Sequence, residues 1–128
     1  MTPQTEGQHP GEFILAEAGN QISRDEVTLT VATGAKLAPG LVLAQLAADE
    51  KFVPYDNTGS DGSEAAAGIL YGDNADNTDG VAPADFQVTI VARIAAVRKD
   101  ALQWASGVDA AGKTAAYADL AAQFIIAR

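Results

Sequence analysis

Between Phe86 and Ile94 every second residue is apolar. Phe86, Val88, Ile90, Ala92 and Ile94 alternate with Gln87, Thr89, Val91, Arg93 and Ala95. A period of two sends successive side chains to opposite faces of an extended strand. This is the longest such run in the chain, and it constrains the fold most. A strand with one apolar face needs neighbours along its edges and a core beneath that face.

The neighbours are legible too. Val27, Leu29 and Val31 alternate with Thr28 and Thr30, and Leu41 to Ala44 reads as a second strand. Phe52-Val53-Pro54-Tyr55 is a third, with Pro54 suited to an edge because it has no N–H to donate. Ala65 to Tyr71 returns to strand with Gly68 inside it. Thr33-Gly34-Ala35 and Pro39-Gly40 supply turns between them. Further on, Lys99 to Ser106 reads as one or two helical turns around Leu102 and Trp104, ended by Gly107. Asp109 is placed to cap a helix running to about Ala122. Tyr117, Leu120, Ala121 and Phe124 share helical spacing and are assigned to its core face. Phe124 to Ala127 reads as a closing strand. The fold class is mainly β with a short C-terminal α-helix, arranged as a small β-barrel or sandwich.

A length of 128 residues suits one domain with a real core. The expected division is a flexible N-terminal arm over residues 1–15 and a single β-rich domain over 16–128. Met1 to Gly11 is polar, contains Pro3, Gly7, Pro10 and Gly11, and shows no periodicity. Phe13-Ile14-Leu15 then forms an apolar patch. Such a patch either gains its order on a partner or docks as a first strand on its own domain, and the residues leave both open.

Seventeen acids stand against eight bases, a net charge of −9. That balance argues against nucleic-acid binding, which needs Lys and Arg to displace phosphate counterions. The acids concentrate between Asp49 and Asp85, where Lys51 is the lone base. No run approaches the ~18 apolar residues of a membrane span. Met1 to Glu12 lacks the basic start and apolar stretch of a signal peptide, so the expected location is the cytoplasm of the cell that makes it. No cysteine is present, which removes disulfides, thiolate metal sites and thiol nucleophiles.

Several strings invite a chemical reading. Gly107 to Thr114, GVDAAGKT, fits the phosphate-loop pattern letter for letter. That motif works only between a buried strand and a helix within a parallel sheet, and the residues before it do not read as strand. The preferred reading has Asp109 as a helix cap and Lys113 as a solvated helix residue. DNADNTDG, from Asp73 to Gly80, superficially resembles a calcium loop, but no frame places acids, glycine and glutamate at the required positions. His9 is the single histidine, and no second histidine stands ready to activate Ser23, Ser60, Ser63 or Ser106. No catalytic residue, cofactor or metal site is assigned. Trp104 is assigned to the core, and Tyr117 is left open between core and interface.

Two segments carry a likeness to known proteins: His9 to Val31 (HPGEFILAEAGNQISRDEVTLTV) and Gly59 to Asp73 (GSDGSEAAAGILYGD). With Gly34 to Leu43, Leu102-Gln103-Trp104 through Leu120 and the closing Phe124 to Arg128, the chain resembles the lambda head decoration protein family of tailed bacteriophages. The case rests on the order and spacing of these pieces across about residues 8 to 128. The resemblance implies a non-enzymatic β-clip domain that binds the expanded phage head as a homotrimer and cements the capsid against the pressure of packaged DNA. The implied partners are the major capsid protein and further copies of the chain, with neither nucleic acid nor membrane. The implied location is the outer surface of the virion head, after assembly in the host cytoplasm. It also implies that the N-terminal arm orders on the capsid, through His9, Pro10, Glu12, Phe13, Ile14 and Leu15. The rival reading is a generic β-rich binding module, adhesive or carbohydrate-contacting, on a larger particle.

Overall fold

A computed structural model describes residues 9–128. The elements run β1 (Ile14–Glu17), α1 (Asn20–Ser23), β2 (Arg24–Val31), β3 (Val42–Gln45), β4 (Phe52–Pro54), β5 (Ala66–Leu70), β6 (Ala84–Val91) and β7 (Ala95–Val97). A 3-10 turn (Lys99–Ala101), α2 (Ala110–Ala122) and β8 (Ile125–Ala127) complete it. Five strands close a barrel in the order β2-β4-β3-β5-β6, and a three-stranded sheet β1-β7-β8 lies beside it.

The alternating segments make the longest seam. β2 and β6 pair antiparallel from Arg24↔Val91 to Val31↔Ala84. Leu29, Val31, Val88 and Ile90 point inward, and with Leu43, Phe52 and Leu70 they fill the barrel. The seam between β2 and β4 is the shortest, one parallel pair, Leu29↔Phe52. Pro54 was expected on an edge, yet β4 sits inside the closed order. It is tolerated because the seam toward β2 ends at Phe52, two residues before the proline.

β3 is buried on both faces. Leu43 faces the barrel interior, while Val42 and Ala44 face a second core shared with α2 and the three-stranded sheet. β5 does the same with Leu70 on one side and Ala66 and Ile69 on the other. Burial on both faces explains why these strands read as unbroken apolar runs.

The structure corrects three sequence expectations. The long alternating run breaks after Val91. Ile94 adopts φ 51°, and Ala95–Val97 leaves the barrel to become the centre of the other sheet. Only Lys99–Ala101 forms a helical turn, and Leu102 onward is extended, with Gln103 bridging to Leu41. The buried face of α2 is Gly112, Ala116 and Leu120, while Ala121 and Phe124 are exposed. Small residues let the helix approach closely: the Tyr55 hydroxyl donates to the Gly112 carbonyl at 2.9 Å, and a Cβ on Gly112 would come 2.6 Å from Asn57. Asp109 does cap α2, accepting from the Gly112 N–H at 2.8 Å.

Phe13, just before β1, is fully buried in the second core. Truncating a buried phenylalanine removes its transfer energy and leaves a cavity, typically 3–5 kcal/mol together. Phe13→Ala is therefore expected to lower the unfolding free energy in urea by about 3–5 kcal/mol. Leu15→Ala, at a half-exposed position two residues on, should change it by less than about 0.5 kcal/mol.

Candidate functional site

The six residues assigned to capsid binding from sequence do not form one surface. His9 to Glu12 makes a tight turn, in which the Glu12 N–H donates to the His9 carbonyl (3.2 Å) and the Glu12 carboxylate accepts from the His9 N–H (2.8 Å). His9, Pro10 and Glu12 are exposed, Phe13 is buried, Ile14 packs against the second core, and Leu15 faces outward. The rest of the expected arm, Met1 to Gln8, lies outside the described residues.

From Ile14 the chain becomes the outer strand of the small sheet. β1 pairs with β7 through Ile14↔Val97, Ala16↔Ala96 and Glu17↔Ala95, with a bulge at Leu15. Among the described residues no strand pairs with its other side. That side presents unpaired backbone groups, a template for an added strand. Next to it, Ala16, Ala96 and Ile126 stand in register across the sheet and point outward. Ile94 and Phe124 close one end of this row, forming a shallow apolar depression. Phe124 is 71% exposed.

Ile94 and Phe124 share a second property. Both lie in the left-handed region, at φ 51° and 62°. For a β-branched or aromatic residue that is an outlier. Phe124 sits just past the C-cap of α2, where glycine is the usual residue. Its N–H bonds the Ala121 carbonyl (2.9 Å), and the neighbouring Ala95 N–H bonds its carbonyl (3.1 Å). Ile94 is held by the fully buried Ser23, whose hydroxyl donates to the Ile94 carbonyl at 2.9 Å, and by the Ala18 N–H at 3.2 Å. Strained backbone of this kind clusters at functional positions. Nothing in the residue pattern signals it, because neither residue belongs to a turn signature.

The other candidate regions resolve into structure. The phosphate-loop string begins in a turn, with Gly107 at φ 94°, and no strand of the described residues feeds it. The Asp109 carboxylate takes the helix N-terminal amide that an anion would need. Lys113 lies over the Trp104 ring, 5.7 Å from its centroid. Trp104 meets Tyr55 and Tyr117 edge-on at 6.2 and 5.7 Å and packs with Tyr117 at the rim of the second core.

The acidic loops are built from repeated short turns. In each of Asp56, Asp61 and Asp76 the carboxylate accepts both the N–H and the hydroxyl of the residue two positions on, Thr58, Ser63 and Thr78. These bonds hold the three carboxyls below their ordinary pKa, the hydroxyl contributing most. Asn77, by contrast, is buried and donates to the carbonyls of Val31, Ala32 and Ala82, tying the second loop to the barrel rim. Among the described residues no three metal-binding side chains gather in one place.

A family model described as Bacteriophage lambda head decoration protein D matches residues 3–125 of the chain. No curated protein matches it.

Two outcomes follow from this geometry. Phe124→Gly relieves a left-handed backbone that costs about 1–2 kcal/mol, offset by the freedom glycine adds to the unfolded chain. Urea unfolding should therefore show a gain of about 0.5–1 kcal/mol, even though an aromatic group has been removed. In the acidic loops, a depressed folded-state pKa stabilises above the unfolded value and is lost as pH falls through the folded value. Thr58→Val, Ser63→Ala and Thr78→Val should each raise the carboxyl midpoint of the preceding aspartate toward the ordinary ~3.9 and weaken the protein's sensitivity to acid. Carbon-detected NMR titration of the carboxyl groups reads this directly.

Proposed function

Because the chain belongs to the bacteriophage lambda head decoration protein family, we propose that it binds the expanded phage head as a homotrimer and cements the shell against the pressure of packaged DNA. The protein is a structural component of the phage head surface, not an enzyme, and its partner is the capsid shell. The observation that carries the reading is the family match over nearly the whole chain.

The physical route runs through the small sheet. The capsid-binding arm is the segment from Met1 to Leu15 apart from its buried anchor Phe13, and the domain from residue 16 onward carries it. Met1 to Gln8 contacts the capsid protein, and a capsid strand adds to the open side of β1. Such addition supplies main-chain hydrogen bonds in one direction and lets alternate side chains set specificity. The apolar row of Ala16, Ala96 and Ile126, with Phe124 at its end, settles on the same partner. Phe13 stays in the domain core and anchors the arm rather than touching the shell.

A single arm binds weakly by itself. Three arms on one trimer raise avidity by ~10²–10⁴. Binding to the expanded shell alone stabilises that state by mass action.

Co-sedimentation with expanded, undecorated heads and with compact precursor shells tests this. Saturable binding to expanded heads only is the expected result, and binding to neither ends the cement reading. Protein lacking Met1–Gln8 should keep its fold, since the buried anchor at Phe13 remains, yet fail to decorate. Normal decoration by that truncated protein would remove the arm from the mechanism.

A further inference from the structure

The point where the arm meets the domain is built around one tyrosine. Arg24, the first residue of β2, pairs with Glu17 of β1 in a two-pronged contact, Nε to Oε2 at 3.2 Å and Nη2 to Oε1. Both side chains are mostly shielded, 23% and 17% exposed. The guanidinium carbon sits 4.0 Å from the centroid of the Tyr71 ring. Tyr71 follows β5 and is locked to β6 through its N–H on the Thr89 carbonyl, 3.0 Å.

Gly11 lies against the same ring. A Cβ there would come 2.9 Å from Tyr71 Cε2 and 3.3 Å from its Oη. Gly11 also has φ 72°, a conformation that disfavours any side chain. Its carbonyl accepts the Ile14 N–H at 3.1 Å. The turn is thus fixed at two points, Gly11 on Tyr71 and Phe13 in the core, immediately after Met1–Gln8 in the chain.

We infer that Tyr71, with the Arg24–Glu17 pair beneath it, is a positioning group that sets where and in what direction Met1–Gln8 leaves the domain. None of the three residues needs to touch the shell. They act by holding the His9–Glu12 turn in one place on the domain, which reduces the entropy lost on binding. This rests on the arm reading above.

Tyr71→Ala removes the ring and both of its contacts. Tyr71→Phe keeps the ring, and with it the face for Arg24 and the wall for Gly11. Arg24→Gln breaks the ion pair and the cation–ring contact while leaving the tyrosine in place, and it serves if Tyr71→Ala does not fold. Affinity for expanded heads is measured for each. Because the chain has no cysteine, a nitroxide on Gln8→Cys reports the direction of departure through broadening of domain amides.

The expected result is about tenfold weaker shell binding for Tyr71→Ala and for Arg24→Gln, wild-type binding for Tyr71→Phe, and a broadening pattern that disperses only in the two weakened variants. Unchanged binding by folded Tyr71→Ala overturns the proposal. So does weakened binding with an unchanged broadening pattern, which makes Tyr71 a shell contact instead. If protein lacking Met1–Gln8 decorates normally, the arm reading itself has failed. If that protein is inactive while Tyr71→Ala binds normally, only the positioning role has failed.

Discussion

β3 and β5 each serve two cores, and the architecture hangs on that double use. Leu43 and Leu70 close the barrel, while Val42, Ala44, Ala66 and Ile69 on the reverse side floor the second core. The barrel wall is therefore also the surface on which α2, Phe13 and the small sheet pack. Gly68 makes this possible from within: a Cβ there would come 2.9 Å from Ile90 Cδ1 and 3.1 Å from the Val91 carbonyl. A side chain at that point would press on Ile90 inside the barrel and on the β6 backbone at Val91, which would have to give by a few tenths of an ångström. Because close-packed interiors transmit such shifts, barrel closure and the seating of the small sheet are one condition rather than two.

The barrel was legible in the sequence wherever one face is wet. Phe86 to Ile90 and Val27 to Val31 alternate because their outer positions meet solvent, and they pair as that alternation requires. What was not legible came from close approach and from backbone conformation. The buried face of α2 is Gly112, Ala116 and Leu120, too small in two of three places to register as apolar. Tyr117, Ala121 and Phe124 have the apolar character that spacing rewards, yet Ala121 and Phe124 are exposed. The alternation continued by pattern through Ala92 and Ile94, but the left-handed turn at Ile94 sends the chain to another sheet. No side-chain pattern announces a positive φ at isoleucine.

For the candidate site the division is sharper. The family resemblance was carried by segments spread along the chain, and the match over residues 3–125 agrees with it. The apolar depression was not found, since Ala16, Ala96, Ile94 and Phe124 come together only through the pairing of β1, β7 and β8. Nor was the contact of Gly11 with Tyr71, whose partners lie sixty residues apart in sequence. Asp109 was legible because capping is a local event, decided within three residues. Local chemistry reads directly from sequence, whereas a surface assembled from distant strands does not.

The pairing of β1 with β7 joins Ile14 to Val97, and β7 in turn needs Ile125 on its other side. The first of these joins some of the most distant partners in the molecule, and a fold that depends on such pairings closes its loops slowly. A nascent chain emerges with β1 first and must wait for β7 and β8 before that strand has a place to lie. Until then Phe13 has no core to enter, and the open strand edge does not yet exist as a template. The open edge of β1 is thus the last part of the molecule to be completed. A half-made chain therefore carries no completed β1 edge, and the order of synthesis itself times when that edge appears.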